Sequence, residues 1–264
     1  MSHSPAPEHL FGLALSGGGA CCAAQIGALQ AWQEAGIRPD IIAGTSGGSI
    51  VGALYSYGLS PRDILKVFSE TNLFSFSHLT FRQPGLLDIT SFKVLEDYLP
   101  ENNFQSLSIP LIITATDLEN GTLKHFSEGP LHRCIQASAA FPGVFAPVNI
   151  NGVYHADGGI LESIPIQPLR SKCKVVAAVD VNPSTPVQQE ELQSSRKVVN
   201  RAIRLLLSGQ RSFTPEQADL FLSPPELFHF GVFSMDAVEE LYAIGYEAAR
   251  KKLDSLKALL AQHI

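Results

Sequence analysis

Three observations predict an α/β fold, a three-layer α/β/α sandwich around a mostly parallel central sheet. Short apolar runs alternate with stretches of helical spacing along the chain. That order gives parallel strands with helices on both faces. Lys174–Val181 reads as a continuous apolar strand, as expected for one buried on both faces. Two strand-to-helix junctions, at Ser16–Gly19 and Gly44–Gly48, are rich in glycine, which permits the tight turns such a fold needs.

The elements follow in order. Leu10–Leu15 is an apolar run ending at Ser16-Gly17-Gly18-Gly19, a strand and then a turn. Ala20–Gly36 carries Ile26, Leu29, Ala31 and Trp32 at helical spacing and ends on a glycine that can cap it. Pro39 opens a second strand, Ile41-Ile42-Ala43, and Ser49–Tyr57 after it is helix-compatible. Ser60-Pro61 starts another helix, because serine caps and proline suits the first turn. Ile109–Ala115 is a β-branched strand, with Gly121–Phe126 as its antiparallel neighbour. The polar stretch Ser184–Arg196 predicts a mobile loop followed by a helix, and Asp219–Leu222 a last short strand. From Ser234, apolar residues at Val238, Leu241, Ile244, Ala248, Leu253, Leu256 and Leu260 predict one long closing amphipathic helix. No repeat or low-complexity linker interrupts this pattern. Residues 1–9 are expected to be a tail and 10–264 a single domain.

Composition narrows the function. An apolar fraction of 45% and a charged fraction of 17% suit a globular chain with a large core. The net charge of −6, without a long basic run, argues against nucleic acid as a partner and gives no overall attraction to anionic membranes. No apolar segment reaches the roughly 18 to 20 residues of a membrane span. Met1–Leu10 lacks the apolar core of a signal peptide. A cytoplasmic protein is expected, with export lacking a cleaved signal as the alternative. Cys21, Cys22, Cys134 and Cys173 match no zinc spacing and are expected to be reduced thiols. No metal or organic cofactor is implied.

Gly44-Thr45-Ser46-Gly47-Gly48 carries the strongest chemical signal. A serine between glycines, after a strand and before a helix, is a nucleophile elbow. It lifts a hydroxyl above the sheet edge beside the free N–H groups of the next helix. The turn Gly17-Gly18-Gly19-Ala20 has two readings, a phosphate cradle or a hole for the oxyanion of acyl transfer. It lacks the third glycine of a dinucleotide site and the Gly-Lys-Ser/Thr of a P-loop, and its company with the elbow favours the oxyanion. A base is also needed. His78, His125, His132, His155, His229 and His263 follow the elbow, and none has a distinguishing setting. Asp157 does, in Tyr154-His155-Ala156-Asp157-Gly158-Gly159, where two glycines allow a turn that aims the carboxylate into a cleft.

These motifs together resemble the patatin-like phospholipase family of serine lipid acyl hydrolases, from about Leu10 to Pro168 and more weakly to the C-terminus. Thr114–Leu118, Ser138–Pro142 and Ala218–Leu220 are similar as well. The resemblance implies a patatin-like fold and a dyad, with Ser46 as nucleophile, Asp157 as the group that accepts or orients its proton, and no histidine. It also implies that the N–H groups of Gly17, Gly18, Gly19 and Ala20 form the oxyanion hole. The implied partner is a lipid or acyl ester, met in transient contact with a membrane surface. Two rivals stand beside this reading: a Ser-His-Asp esterase, and a silent lipid- or partner-binding member of the fold.

The chain departs from the family pattern at Cys21 and Cys22, where Arg-Gly usually follows the glycine turn. An arginine there would add positive charge beside the turn and could attract a phosphate; in its absence neutral lipids or simple esters are expected to be favoured over charged phospholipids. Glu162-Ser163-Ile164-Pro165 is a second departure, with no clear catalytic consequence. The aromatic segment Leu73–Phe81 is the candidate cap for acyl chains, and Phe228, Phe230 and Phe233 form a second cluster.

Overall fold

A computed structural model of the chain describes residues 7–71, 94–183, 185–209 and 217–263. Strand β1 (His9–Leu15) is followed by a 3-10 turn and helix α1 (Ala23–Glu34). Strand β2 (Ile41–Thr45) leads directly into α2 (Gly47–Tyr57), and then come α3 (Pro61–Glu70) and α4 (Val94–Tyr98). Strands β3 (Leu111–Asp117) and β4 (Thr122–Phe126) form a hairpin. Helix α5 (Leu131–Ala139) and strands β5 (Val148–Ile150) and β6 (Val153–Asp157) come next. The chain continues through α6 (Gln167–Arg170), β7 (Cys173–Val179), α7 (Ser195–Gly209) and β8 (Leu220–Leu222), and ends with α8 (Val238–Lys251) and α9 (Leu253–Ala261).

The sheet runs β5-β6-β3-β2-β1-β7-β8, with β4 also paired to β3. The links from β3 through β2, β1 and β7 to β8 are parallel, and β4, β5 and β6 are antiparallel. Side chains alternate across the sheet. Leu13, Leu15 and Ile113 face a core packed by α1, α2, α3, α5 and α8, whereas Ala14, Ala43 and Ile112 face a smaller one closed by Ile164, Ile166 and Leu169. The sandwich therefore has three layers, one far thicker than the other. Helix α1 is buried nearly all round, because α8 covers the side that the sheet does not.

Several features differ from the sequence expectation. The closing helix breaks at Lys252, whose φ of −103 and ψ of 4 lie off the helical region. The cause is legible: a five-residue step from Ala248 to Leu253 carries the apolar series around the helix, and the break returns Leu256 to the core. Helix α5 was not anticipated, nor was the β5–β6 hairpin, where Val148–Asp157 is short and interrupted by Asn and Gly.

The register of β3 sets the position of the site. Strand β2 pairs with Leu111–Thr114 of β3, and β6 with Ala115–Asp117. Strand β4 pairs with Ile113–Asp117 and overlaps both, so it takes the opposite edge of β3. Strands β2 and β6 thus meet end to end along one edge, with Thr45 opposite Thr114 and Asp157 opposite Ala115. The residue after β2 is Ser46.

Candidate active site

Ser46 sits between β2 and α2 with φ 52 and ψ −126. A positive φ at a non-glycine residue is strained and needs its surroundings to hold it. They do so through Ser138 on α5, whose hydroxyl accepts from the Ser46 N–H at 2.8 Å and donates to the Thr114 carbonyl at 2.7 Å. Glycine is required at the neck of the elbow, since a Cβ on Gly44 would lie 2.6 Å from the Gly48 carbonyl oxygen. Gly47 and Gly48 form the first turn of α2. Thr45 is buried and its hydroxyl donates to the Glu162 carbonyl at 3.2 Å, which links the elbow to the segment after Asp157.

Asp157 is the last residue of β6 and is 1% exposed. Its carboxylate accepts from the Gly159 N–H at 2.7 Å. Burial pushes its pKa up to about 6, and the neighbouring Ser46 hydroxyl and the Gly159 N–H pull the other way. Desolvation disfavours the charged form, and no nearby cation offsets it. The main chain is pinned as well: the Asp157 N–H donates to the Ala140 carbonyl, and its carbonyl accepts from the Thr116 hydroxyl.

The four amides of the glycine turn separate into two kinds. The Gly17 N–H donates to the Ser163 carbonyl at 2.9 Å, and the Ala20 N–H to the Val232 carbonyl at 2.8 Å. Both are spent on holding the turn. Those of Gly18 and Gly19 have no acceptor among the described residues, and both residues line a cavity with Ser46 and Asp157. The turn is clamped further by Asn182, which donates to the Gly17 carbonyl, and by Gln25, which donates to the Ser16 carbonyl. Gly19 has φ +56, and a Cβ there would lie 2.1 Å from the Val232 carbonyl oxygen. A side chain would close the turn.

The cavity encloses about 430 Å³, counting the open space at its mouth. Beyond the polar atoms, its walls are Ala139, Phe141, Phe145, Ile203, Leu207, Val232 and Phe233. An apolar chamber opening on a serine hydroxyl suits an acyl chain. Among the described residues, no histidine lines it. His125 is paired with Glu162 at 2.9 Å, and His132 and His155 contact the Leu99 and Val153 carbonyls. Phe233 is thus a cavity wall, whereas Phe228 lies outside against His229. The aromatic segment 73–81 lies outside the described residues.

The patatin-like phospholipase family model matches residues 13–170, a span holding the glycine turn, the elbow and Asp157. The chain belongs to that family. An uncharacterised NTE family protein of Mycobacterium bovis is 34% identical over 206 residues, covering 73% of this chain and 55% of the relative. Lysophospholipase NTE1 of Coccidioides immitis is 27% identical over 282 residues, covering 93% of this chain and 18% of the relative. This patatin-like chain therefore spans about half the length of the first and under a fifth of the second. Among solved structures, VipD from Legionella pneumophila aligns with a TM-score of 0.54 at 17% identity, over 97% of this chain and 67% of that one. Human GIVD cytosolic phospholipase A2 gives 0.52 at 11% identity, over 97% and 59%. At such identities the likeness is one of fold, an α/β sandwich shared with known patatin-like proteins.

A cation lies beside Cys21 of this patatin-like chain even without the family's arginine. Arg204, on α7, is 2% exposed and its guanidinium lies 3.8 Å from the Cys21 sulfur. It also donates to the carbonyls of Leu227 and Phe230. The family's arginine position is Cys21, yet a guanidinium reaches the same neighbourhood from 183 residues further along. Cys21 itself is a buried thiol whose pKa is raised by burial despite Arg204 beside it. Ser138 lies in a stretch already seen to resemble the family but without an expected role, and Ile203 and Leu207 were missed, since nothing local marks a residue that reaches the site from α7.

Proposed function

We propose that this chain is a serine lipid acyl hydrolase that cleaves carboxylic esters through Ser46 and Asp157. The observation that carries the reading is a serine hydroxyl, Ser46, in one cavity with a buried carboxylate, Asp157, whose pKa is pushed up to about 6. An aspartate of ordinary pKa, about 3.9, is a feeble base at neutral pH. Burial makes this one stronger by about two units while leaving it mostly ionised at pH 7.

The course follows from the atoms. Ser46 Oγ attacks the ester carbonyl carbon as its proton passes to Asp157, and the oxyanion forms against the Gly18 and Gly19 N–H groups. Collapse expels the alcohol, which takes the proton from Asp157. Water then gives its proton to Asp157 and attacks the acyl-enzyme, releasing the carboxylic acid and restoring Ser46. Each well-placed oxyanion donor is worth roughly 3 to 4 kcal/mol of barrier, so the glycine turn supplies a large share of the rate. The apolar cavity supports an acyl chain as the recognised part, and the family supports a lipid as its source.

The test is a panel of acyl esters, lysophospholipids and phospholipids, assayed with wild type, Ser46→Ala and Asp157→Asn. Turnover by wild type that is lost in both variants is expected, along with fluorophosphonate labelling that disappears in Ser46→Ala. Activity that survives Asp157→Asn but vanishes with one histidine would replace the dyad by a triad. Folded wild type that neither labels nor turns over any ester would make the chain a binding protein.

A further inference from the structure

Helix α7 presents three faces, set by 3.6 residues per turn. Lys197, Arg201 and Arg204 fall on one side and line a cavity with Phe228 and His229. Ile203 and Leu207 fall on another and wall the Ser46 cavity. Between these two faces Val198, Val199, Leu205 and Leu206 point to solvent, 47 to 59% exposed. Among the described residues, these are four of the eight exposed large apolar side chains. They form a stripe, where chance would scatter them.

The charge is equally concentrated. Ser195–Gly209 holds four cations and no carboxylate, in a chain whose net charge is −6. Arg204 is almost fully buried, yet its Nε and Nη1 have no hydrogen-bond acceptor, and the same holds for Nη1 of Arg201. No carboxylate among the described residues pairs with either guanidinium. The Cys21 thiol beside Arg204 stays neutral because burial raises its pKa, so it supplies no counter-charge. A buried cation without an anion is costly. An incoming anion would supply the missing acceptors.

We propose that α7 is the surface on which this protein docks to an anionic phospholipid membrane. Val198, Val199, Leu205 and Leu206 enter the interface, while Lys197, Arg201 and Arg204 receive lipid phosphate in the adjoining cavity. An apolar stripe beside a cationic face is the pattern of a helix lying in a membrane interface. Its third face already walls the candidate acyl cavity, so docking brings lipid to the mouth of the site. The choice of lipid over a protein partner rests on the acyl hydrolase reading. The binding itself does not require turnover.

The experiment is therefore done on Ser46→Ala protein, by sedimentation with vesicles of phosphatidylcholine, with or without phosphatidic acid. Partitioning that needs phosphatidic acid and weakens with salt is expected. Each cation at an anionic surface is worth roughly fivefold, so Lys197→Gln/Arg201→Gln should reduce partitioning about 25-fold. Val199→Glu/Leu206→Glu should abolish it, and unchanged melting temperatures would show that both variants fold. No sedimentation, equal sedimentation with neutral vesicles, or variants that bind like the parent would each overturn the proposal. So would concentration-dependent self-association lost in Val199→Glu/Leu206→Glu without vesicle binding, which would assign the stripe to a second copy of the chain. None of these results bears on whether the Ser46 enzyme hydrolyses soluble esters, so the two readings fail separately.

Discussion

Replacing Asp157 by Asn should remove activity and stabilise the protein at neutral pH. In the folded chain the carboxyl has a pKa of about 6, against an ordinary 3.8, because it is buried. Between those values the folded state holds a proton that the unfolded state has released, so stability falls as pH rises. The stabilising contribution is complete below the unfolded pKa and is lost as pH passes through about 6. About two pKa units correspond to about 3 kcal/mol. Asn accepts the Gly159 N–H in the same place and carries no charge at any pH. Urea unfolding of both proteins from pH 4 to 7.5 gives the difference in stability, which cancels every other carboxylate. The variant should match wild type near pH 4 and gain up to about 3 kcal/mol by pH 7. In parallel, kcat/KM of wild type on a soluble ester should rise with pH through about 6. A variant less stable than wild type at pH 7, with a flat difference across the range, would refute the argument. It would mean that hydrogen bonding to the carboxylate outweighs its desolvation.

Four further outcomes are expected. Ser138→Ala leaves the Ser46 N–H without its acceptor, and urea unfolding should show a loss of about 1 to 3 kcal/mol with reduced kcat. Gly19→Ala forces a Cβ against the Val232 carbonyl, and steady-state turnover of a soluble ester should drop by at least about 100-fold as the oxyanion donors shift. Leu207→Trp fills part of the acyl cavity; if it excludes three methylenes, kcat/KM for long-chain esters relative to short ones should fall about 50-fold. All four cysteines are buried, so a thiol reagent should label them only on unfolding, and rapid labelling of native Cys21 would contradict its placement.

Most of the parallel sheet was legible because its strands are short apolar runs closed by glycine or proline. Leu10–Leu15, Ile41–Ala43 and Lys174–Val181 all lie in or over strands of the structure. The β5–β6 hairpin was not, since three- and five-residue strands broken by Asn151-Gly152 carry too little pattern. Its absence from the sequence reading matters: β6 is the strand that delivers Asp157 to the edge of β3.

By itself the sequence determined the chemistry available: a serine in a glycine elbow, a glycine turn after β1, and an aspartate before two glycines. Those are local features, set by positive φ at Gly18 and Gly19 and by approaches at Gly44, Gly48 and Gly158 too close for a Cβ. Only the tertiary structure decided their surroundings. It spends the Gly17 and Ala20 amides on neighbouring carbonyls and leaves those of Gly18 and Gly19 without an acceptor among the described residues. It raises Asp157 from an ordinary carboxyl to one near 6 by burying it. It also returns a guanidinium to Cys21 from α7. Burial, hydrogen-bond competition and the approach of charges distant in sequence depend on how elements pack, and no local pattern records them.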